Sequence, residues 1–228
     1  VCIMPPKIDA EFAKLLPPLS PEELAELEAS ILHEGVREAL VVWQETGILL
    51  DGHNRYALVN KHDLPYGTPR ELSFGSRAEA RRWLIRNQLG RRNLKPDWAS
   101  YLRGLDVRET ERPTGRPEKG SQIATLSEIA EREGVSEDTL RRDAKFAEAV
   151  DAVAEAAGDE IRETLLSGSV ARGDVTRYAE VAKDDPEKAK AVAAKAKEGT
   201  KVKVALREVE REERQAELTQ SAEPAPDL

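Results

Sequence analysis

Five consecutive residues, Asp51-Gly52-His53-Asn54-Arg55, set a carboxylate, an imidazole, an amide and a guanidinium around one glycine. These types suit anion binding. Gly52 lets the backbone turn sharply where a strand feeds a helix. The amides of 53–55 would then be unpaired donors at the positive end of the helix dipole. Phosphate is the commonest guest of such a terminus, and Arg55 adds a bidentate partner for its oxygens. His53 and Asn54 add donors or read a base. The plain alternative is that Asp51 and Asn54 only cap the helix and Arg55 lies on the surface. A second cluster, Asn87, Gln88, Arg91 and Arg92 in "NQLGRRNL", closes another helix around Gly90. Its arginines can meet phosphate from the far side of a cleft, or can simply be a solvated helix end.

A different chemistry is written in "TLSEIAEREGVSEDTLRRDAKF", residues 125–146. Thr125 and Glu128 form a capping box, Ile129 and Ala130 supply a buried side, Gly134 turns the chain, and Ser136 caps a second helix in which Leu140 faces inward. The spacing Ala-x-x-x-Gly-Val-Ser is that of a helix-turn-helix. Ser136, Glu137, Thr139, Arg141, Arg142 and Lys145 would point outward, arginine being the commonest reader of guanine edges. Glu133 and Asp143 fall where apolar residues are usual, and Glu137, Asp138 and Asp143 oppose a phosphate surface. An ordinary helical hairpin in a bundle is the competing reading.

The elements that would position these groups can be read from pattern. Residues 1–19 hold four prolines and read as an irregular arm. "SPEELAELEASILHEG" is a helix with Ser20 and Glu23 as a capping box and Gly35 as its stop. "ALVVW" and "ILLD" are short strands around "QETG", a helix follows from about His53 to Lys61, and "RELSF" is a further strand. A helix capped by Ser76 and Glu79 as a reciprocal pair follows, and Pro96 opens another. Strands mixed with helices predict an α/β or α+β domain over 20–108. Residues 109–124 lack apolar periodicity and read as a linker. Residues 125–157 carry the helix-turn-helix, 158–218 are C-terminal helices, and 219–228 form a disordered tail.

Bulk properties bound the answer. The 228 residues carry a net charge of −8, which argues mildly against coating nucleic acid. Its distribution matters more: residues 76–120 hold 12 basic and 6 acidic side chains within an acidic chain. That block is either a solvated helix face or a phosphate-facing surface. The one cysteine, Cys2, excludes a disulfide framework and a cysteine metal cluster, and fits a reducing cytoplasm. No apolar run approaches the roughly 18 residues of a spanning helix, and no metal site is expected from three scattered histidines.

"LEASILHEGVREALVVW…GILLDGHNRYALVNKHDLPY", "IRNQLGRRNL" and "VSEDTLRRDAKFAEAVD" together resemble the ParB/sulfiredoxin-fold N-terminal domain joined to a helix-turn-helix, as in ParB-like proteins of plasmids and phages. The resemblance covers about residues 19–157. It implies an α+β fold: a small mixed-sheet N-domain, then an all-α helix-turn-helix domain and C-terminal helices. It also implies a nucleotide pocket, with CTP as the family's ligand and Mg2+ as its companion. Gly52 and Arg55 match the first family motif, Ala57 stands where its second arginine would be, Asn87 and Gln88 replace a glutamate and an asparagine, and Arg91 and Leu94 match. The partners implied are double-stranded DNA, a second copy of the chain and a partition ATPase, in a bacterial cytoplasm at nucleoid or plasmid.

Three readings of function follow. The first is a sequence-specific, nucleotide-responsive DNA-binding protein acting in partition, replication control or transcription. It is at most a nucleotide-hydrolysing switch, with no catalytic residue assigned. The second is a small-molecule phosphotransferase, similar to free-serine kinases of this fold, with Asp51 as base. The third is a scaffold whose C-terminal helices bind a partner. Sulfiredoxin activity is excluded because His53 occupies the place of the required cysteine, and a nuclease lacks an acidic pair at metal-binding spacing.

Overall fold

The computed structural model describes residues 5–91, 93–111 and 125–221. Within it the fold is α+β, a three-stranded mixed sheet among eleven helices in the described residues. The chain divides into two compact units, Val1–Leu94 with Leu105–Glu137, and Lys95–Gly104 with Asp138–Leu228. These boundaries differ from the segments read in the sequence, since two helices, Pro96–Glu111 and Glu137–Ala157, contribute to both units.

The first unit is built on β1 (Val41–Trp43), β2 (Ile48–Asp51) and β3 (Arg70–Leu72), in the order β2-β1-β3. β1 pairs antiparallel with β2 and parallel with β3, with a register shift between Val41 and Val42 that sets Val41 against Asp51. Leu40, Val42 and Leu49 are buried together, with Tyr56 and Tyr66 packed against them. Helix α2 (Pro21–Glu34) has the full capping box expected of Ser20 and Glu23, and Gly35 ends it at φ 75°. Its Ile31 is buried with Leu58 and Val59 of α3 (His53–Lys61). This packing fixes α3 at the end of β2, where the site lies.

The arm read as irregular is built into this unit. Asp9 caps a short helix, α1 (Ala10–Ala13), accepting the amides of Glu11 and Phe12 at 3.0 and 3.1 Å. Phe12 and Leu15 are buried, and Lys7 bridges in parallel to Ile48. Four prolines dominated the pattern, while one capping aspartate and two apolar residues are too short a signal for periodicity. In α4 (Arg77–Leu89) only half of the expected capping box forms. Ser76 accepts the Glu79 amide, but Glu79 Oε2 takes the amide of Gly75 instead of that of Ser76. From α5 (Pro96–Glu111), the buried carboxylate of Asp106 meets Arg86 of α4 at 3.4 Å and Arg132 of α6 (Leu126–Glu133) at 2.5 Å.

The second unit is helical: α7 (Glu137–Ala157), α8 (Ile161–Leu165), α9 (Arg172–Asp184), α10 (Pro186–Lys197) and α11 (Val202–Ser221). α5 and α7 touch backbone to backbone, because a Cβ on Gly104 would lie 2.2 Å from the Asp143 carbonyl oxygen. Asp143, out of place for a helix-turn-helix in the sequence, is fully buried and bonded to Arg103 at 2.8 Å and Arg172 at 3.2 Å. Two arginines brought from α5 and α9 make the burial of that charge tolerable. Val202, Ala205, Leu206 and Val209 of α11 are buried, and α11 packs on α9 and α10. Ion pairs Lys188–Glu213, Lys195–Glu212 and Arg177–Glu210 line that packing. Of the 109–124 linker, residues 109–111 finish α5, and 112–124 lie outside the described residues, as do 222–228 of the tail; 219–221 end α11.

Candidate functional site

Gly52 is the N-cap of α3 and takes a left-handed conformation, φ 93°, ψ 23°. A Cβ there would lie 2.6 Å from Leu40 Cδ2 and within 3.2 Å of the Arg55 guanidinium. Glycine is therefore required twice, by torsion and by space. The helix has no side-chain cap, so neither Asp51 nor Asn54 does the capping that the plainer reading assigned them. The first helical bond runs from the Tyr56 amide to the Gly52 carbonyl, and the donors before it stand at the positive end of the dipole.

Two arginines converge on that terminus. Arg55 Nη2 donates to Asp51 Oδ2 at 3.0 Å, and Arg91 Nη2, forty residues further on, donates to Asp51 Oδ1 at 2.6 Å. Arg55 Nη1 also donates to Glu38 at 2.9 Å. Only 16% of the Arg55 side chain is exposed, against 42% for Arg91. Asp51 is thus the internal counter-ion of a cation pair, a role its place in the sequence did not announce. Both ring nitrogens of His53 and the Nε of Arg55 are buried without a hydrogen-bond partner. Burial pushes the His53 imidazole below its ordinary value; the nearby Asp51 charge opposes this and the Arg91 charge adds to it.

These residues line a cavity of about 230 Å³, with Asp51, Gly52, His53, Asn54, Arg55 and Arg91 on one side. The rest of its wall comes from Leu16, Pro17, Leu19, Glu23 and Leu27. A second cavity of about 300 Å³ shares Pro17, Leu19, Glu23 and Arg91 and adds Pro18, Asn93 and Leu94. Sequence reasoning missed this wall, whose residues belong to the arm, to the first two turns of α2 and to the segment after α4. Of the described residues of the second cluster, only Arg91 joins the site. Asn87 is half-buried and Gln88 fully buried in α4, and neither lines the two cavities. The α4 stripe turns Gln88 into the core, with both atoms of its amide unpaired. Arg92 lies outside the described residues. Among the described residues no group of three or more His, Cys, Asp or Glu is placed to hold a metal ion.

Around Gly134 one helix ends and another begins. α6 carries the Thr125–Glu128 capping box and ends at Gly134, φ 65°, and α7 begins at Glu137. Ile129, Ala130 and Leu140 are buried. Ser136, Arg141, Arg142 and Lys145 are exposed, and Glu137 and Thr139 are half-buried. Arg142 pairs with Asp138 one turn before it. No helix of the described residues is long and apolar enough to cross a membrane.

No protein-family profile matches the chain, and no curated protein matches it. Among solved structures it is similar to the C2221 form of a Pnob8-like ParB-N domain, at 17% identity and a TM-score of 0.46. The match covers 79% of this chain and 78% of that one.

Proposed function

We propose that the chain is a nucleotide-responsive, sequence-specific DNA-binding protein of ParB type, acting in partition, replication control or transcription. The observation that carries the reading is the convergence of Arg55 and Arg91 on Asp51 at the uncapped start of α3, beside a cavity of about 230 Å³. A phosphate group offers the same planar acceptor edge as the Asp51 carboxylate and more charge, so it can take over both guanidiniums. The first-turn amides of α3 supply further donors. On the second surface, Arg141, Arg142, Thr139 and Ser136 read bases and Lys145 holds phosphate. The family resemblance of the motifs around both surfaces supports joining them in one activity.

Calorimetric titration of the full chain with CTP, ATP and ADP tests the pocket. Arg55→Ala is expected to weaken nucleotide binding at least about tenfold, because the two-guanidinium clamp loses its buried half. An unchanged heat signal in that variant means the pocket is misplaced. The phosphotransferase reading is disfavoured because each oxygen of Asp51 is engaged by an arginine, which orients it as a counter-ion and not as a base aimed at a substrate hydroxyl.

A further inference from the structure

We propose that residues 5–19 are the specificity wall of the anion pocket, positioned by Arg77, and that this wall selects phosphate ligands bearing a flat ring over inorganic phosphate or pyrophosphate. The inference rests on the mononucleotide reading above. The segment is fastened at three points. The Lys7 amide donates to the Gly47 carbonyl, and the Leu49 amide donates to the Lys7 carbonyl, each at 2.9 Å, which adds one residue to the edge of β2. Phe12 and Leu15 are buried. The Arg77 guanidinium, from the first turn of α4, donates to both oxygens of Asp9 at 2.8 and 2.9 Å and to Glu11 Oε2 at 2.7 and 3.0 Å. It also sits 4.7 Å from the centre of the Phe12 ring. Burial alone would raise the Asp9 carboxyl; the Arg77 bond and the Phe12 and Glu11 amides outweigh it and hold the group below its ordinary value.

From this anchorage the chain runs directly into Leu16, Pro17, Pro18 and Leu19, which face the cavities. Pro17 and Leu19 belong to both cavities, as does Arg91. A ligand whose phosphate sits on Arg55 and Arg91 therefore extends past Pro17 into a chamber walled by Pro18, Leu19 and Leu94, with Asn93 supplying an amide. Two prolines there suit a stacking wall: their rings are rigid, and they have no backbone N–H to leave unsatisfied. A wall ordered before the ligand arrives spares the entropy of ordering it on binding. Exposed ion pairs contribute little to stability one at a time, so the role of Arg77 is to place the wall and not to hold the fold.

The test is calorimetric titration of the full chain with CTP, ATP and inorganic pyrophosphate, for wild type, Arg77→Glu, Arg77→Lys and Leu19→Asp, with circular dichroism to confirm folding. Arg77→Glu sets a like charge against Asp9 and Glu11, whereas Leu19→Asp alters the wall and leaves the Arg77 contacts intact. Both are expected to weaken nucleotide binding about tenfold or more and pyrophosphate binding less than about threefold, tenfold being ~1.4 kcal/mol. Arg77→Lys is expected to recover part of the loss. Amide exchange over residues 5–19 should slow when nucleotide is added to wild type and not to Arg77→Glu. Equal nucleotide affinity in all four proteins overturns the wall while leaving the pocket standing, and so does an equal loss for pyrophosphate. A wild type that binds no nucleotide overturns both.

Discussion

At the scale of the residue, the site turns on one glycine and one histidine. Gly52→Ala must force a left-handed residue to carry a Cβ 2.6 Å from Leu40 Cδ2. The expected loss is roughly 1–3 kcal/mol, the usual cost of one strained backbone position, and is read as a fall in melting temperature. His53 gives a pH signature whose sign follows from its lowered pKa. The folded chain binds fewer protons there than the unfolded chain does, so its stability is complete above the ordinary histidine value of about 6.5 and falls as pH drops below it. The charges facing the ring are Asp51, which opposes the shift, and Arg91, which adds to it. His53→Gln should flatten the slope of urea midpoint against pH between about 6.5 and 5; an unchanged slope would show that another group titrates. Much of this site was legible because Asp51, Gly52, His53, Asn54 and Arg55 are consecutive in the chain. The bond from Asp51 to Arg91 was not, because a contact across forty residues leaves no local period.

At the scale of the element, what the sequence announces well is what lies within one helical turn. The capping boxes at Ser20 and Thr125 and the left-handed stops at Gly35 and Gly134 were readable because their partners sit three or four residues apart. Gly104 was not readable. It sits inside a helix, where glycine is unfavourable, and only the approach of α7 explains it. A Cβ at Gly104 meets backbone, the Asp143 carbonyl, which has no rotamer by which to move aside. Gly104→Ala therefore has to pry α5 from α7, at an expected cost of about 1–3 kcal/mol or more, against the gain of about 1 kcal/mol that the same change brings in an open helix. Chemical denaturation decides between these signs. A stabilised variant would mean the two backbones are not in contact. Asp143 makes the same lesson from the opposite side. It broke the apolar pattern of a helix-turn-helix, yet Arg103 and Arg172 give the buried carboxylate a place that no single-element pattern could reveal.

At the scale of the whole molecule the charge map changes meaning once its partners are known. The basic block at 76–120 offered itself as a phosphate surface, but Arg77, Arg81, Arg86, Arg91 and Arg103 of that block all meet carboxylates of their own compact units. Those five of the block's twelve basic side chains are thus engaged within the protein. On the proposed reading, DNA affinity rests on a small set, the exposed Arg141, Arg142 and Lys145, in a chain whose net charge of −8 repels a polyanion. Counterion release scales with the phosphates neutralised, so three such contacts predict a salt slope of roughly −3 per chain. Non-specific binding at physiological salt should be correspondingly poor, which places the discrimination in base contacts. Gel retardation of host-plasmid fragments over a range of salt reads both quantities. Selective retardation with a shallow slope, abolished in the Arg141→Ala, Arg142→Ala double variant, is the expected result. Steep, sequence-indifferent binding that survives the double variant would mean that basic side chains of 76–120 hold the DNA and that α7 reads nothing.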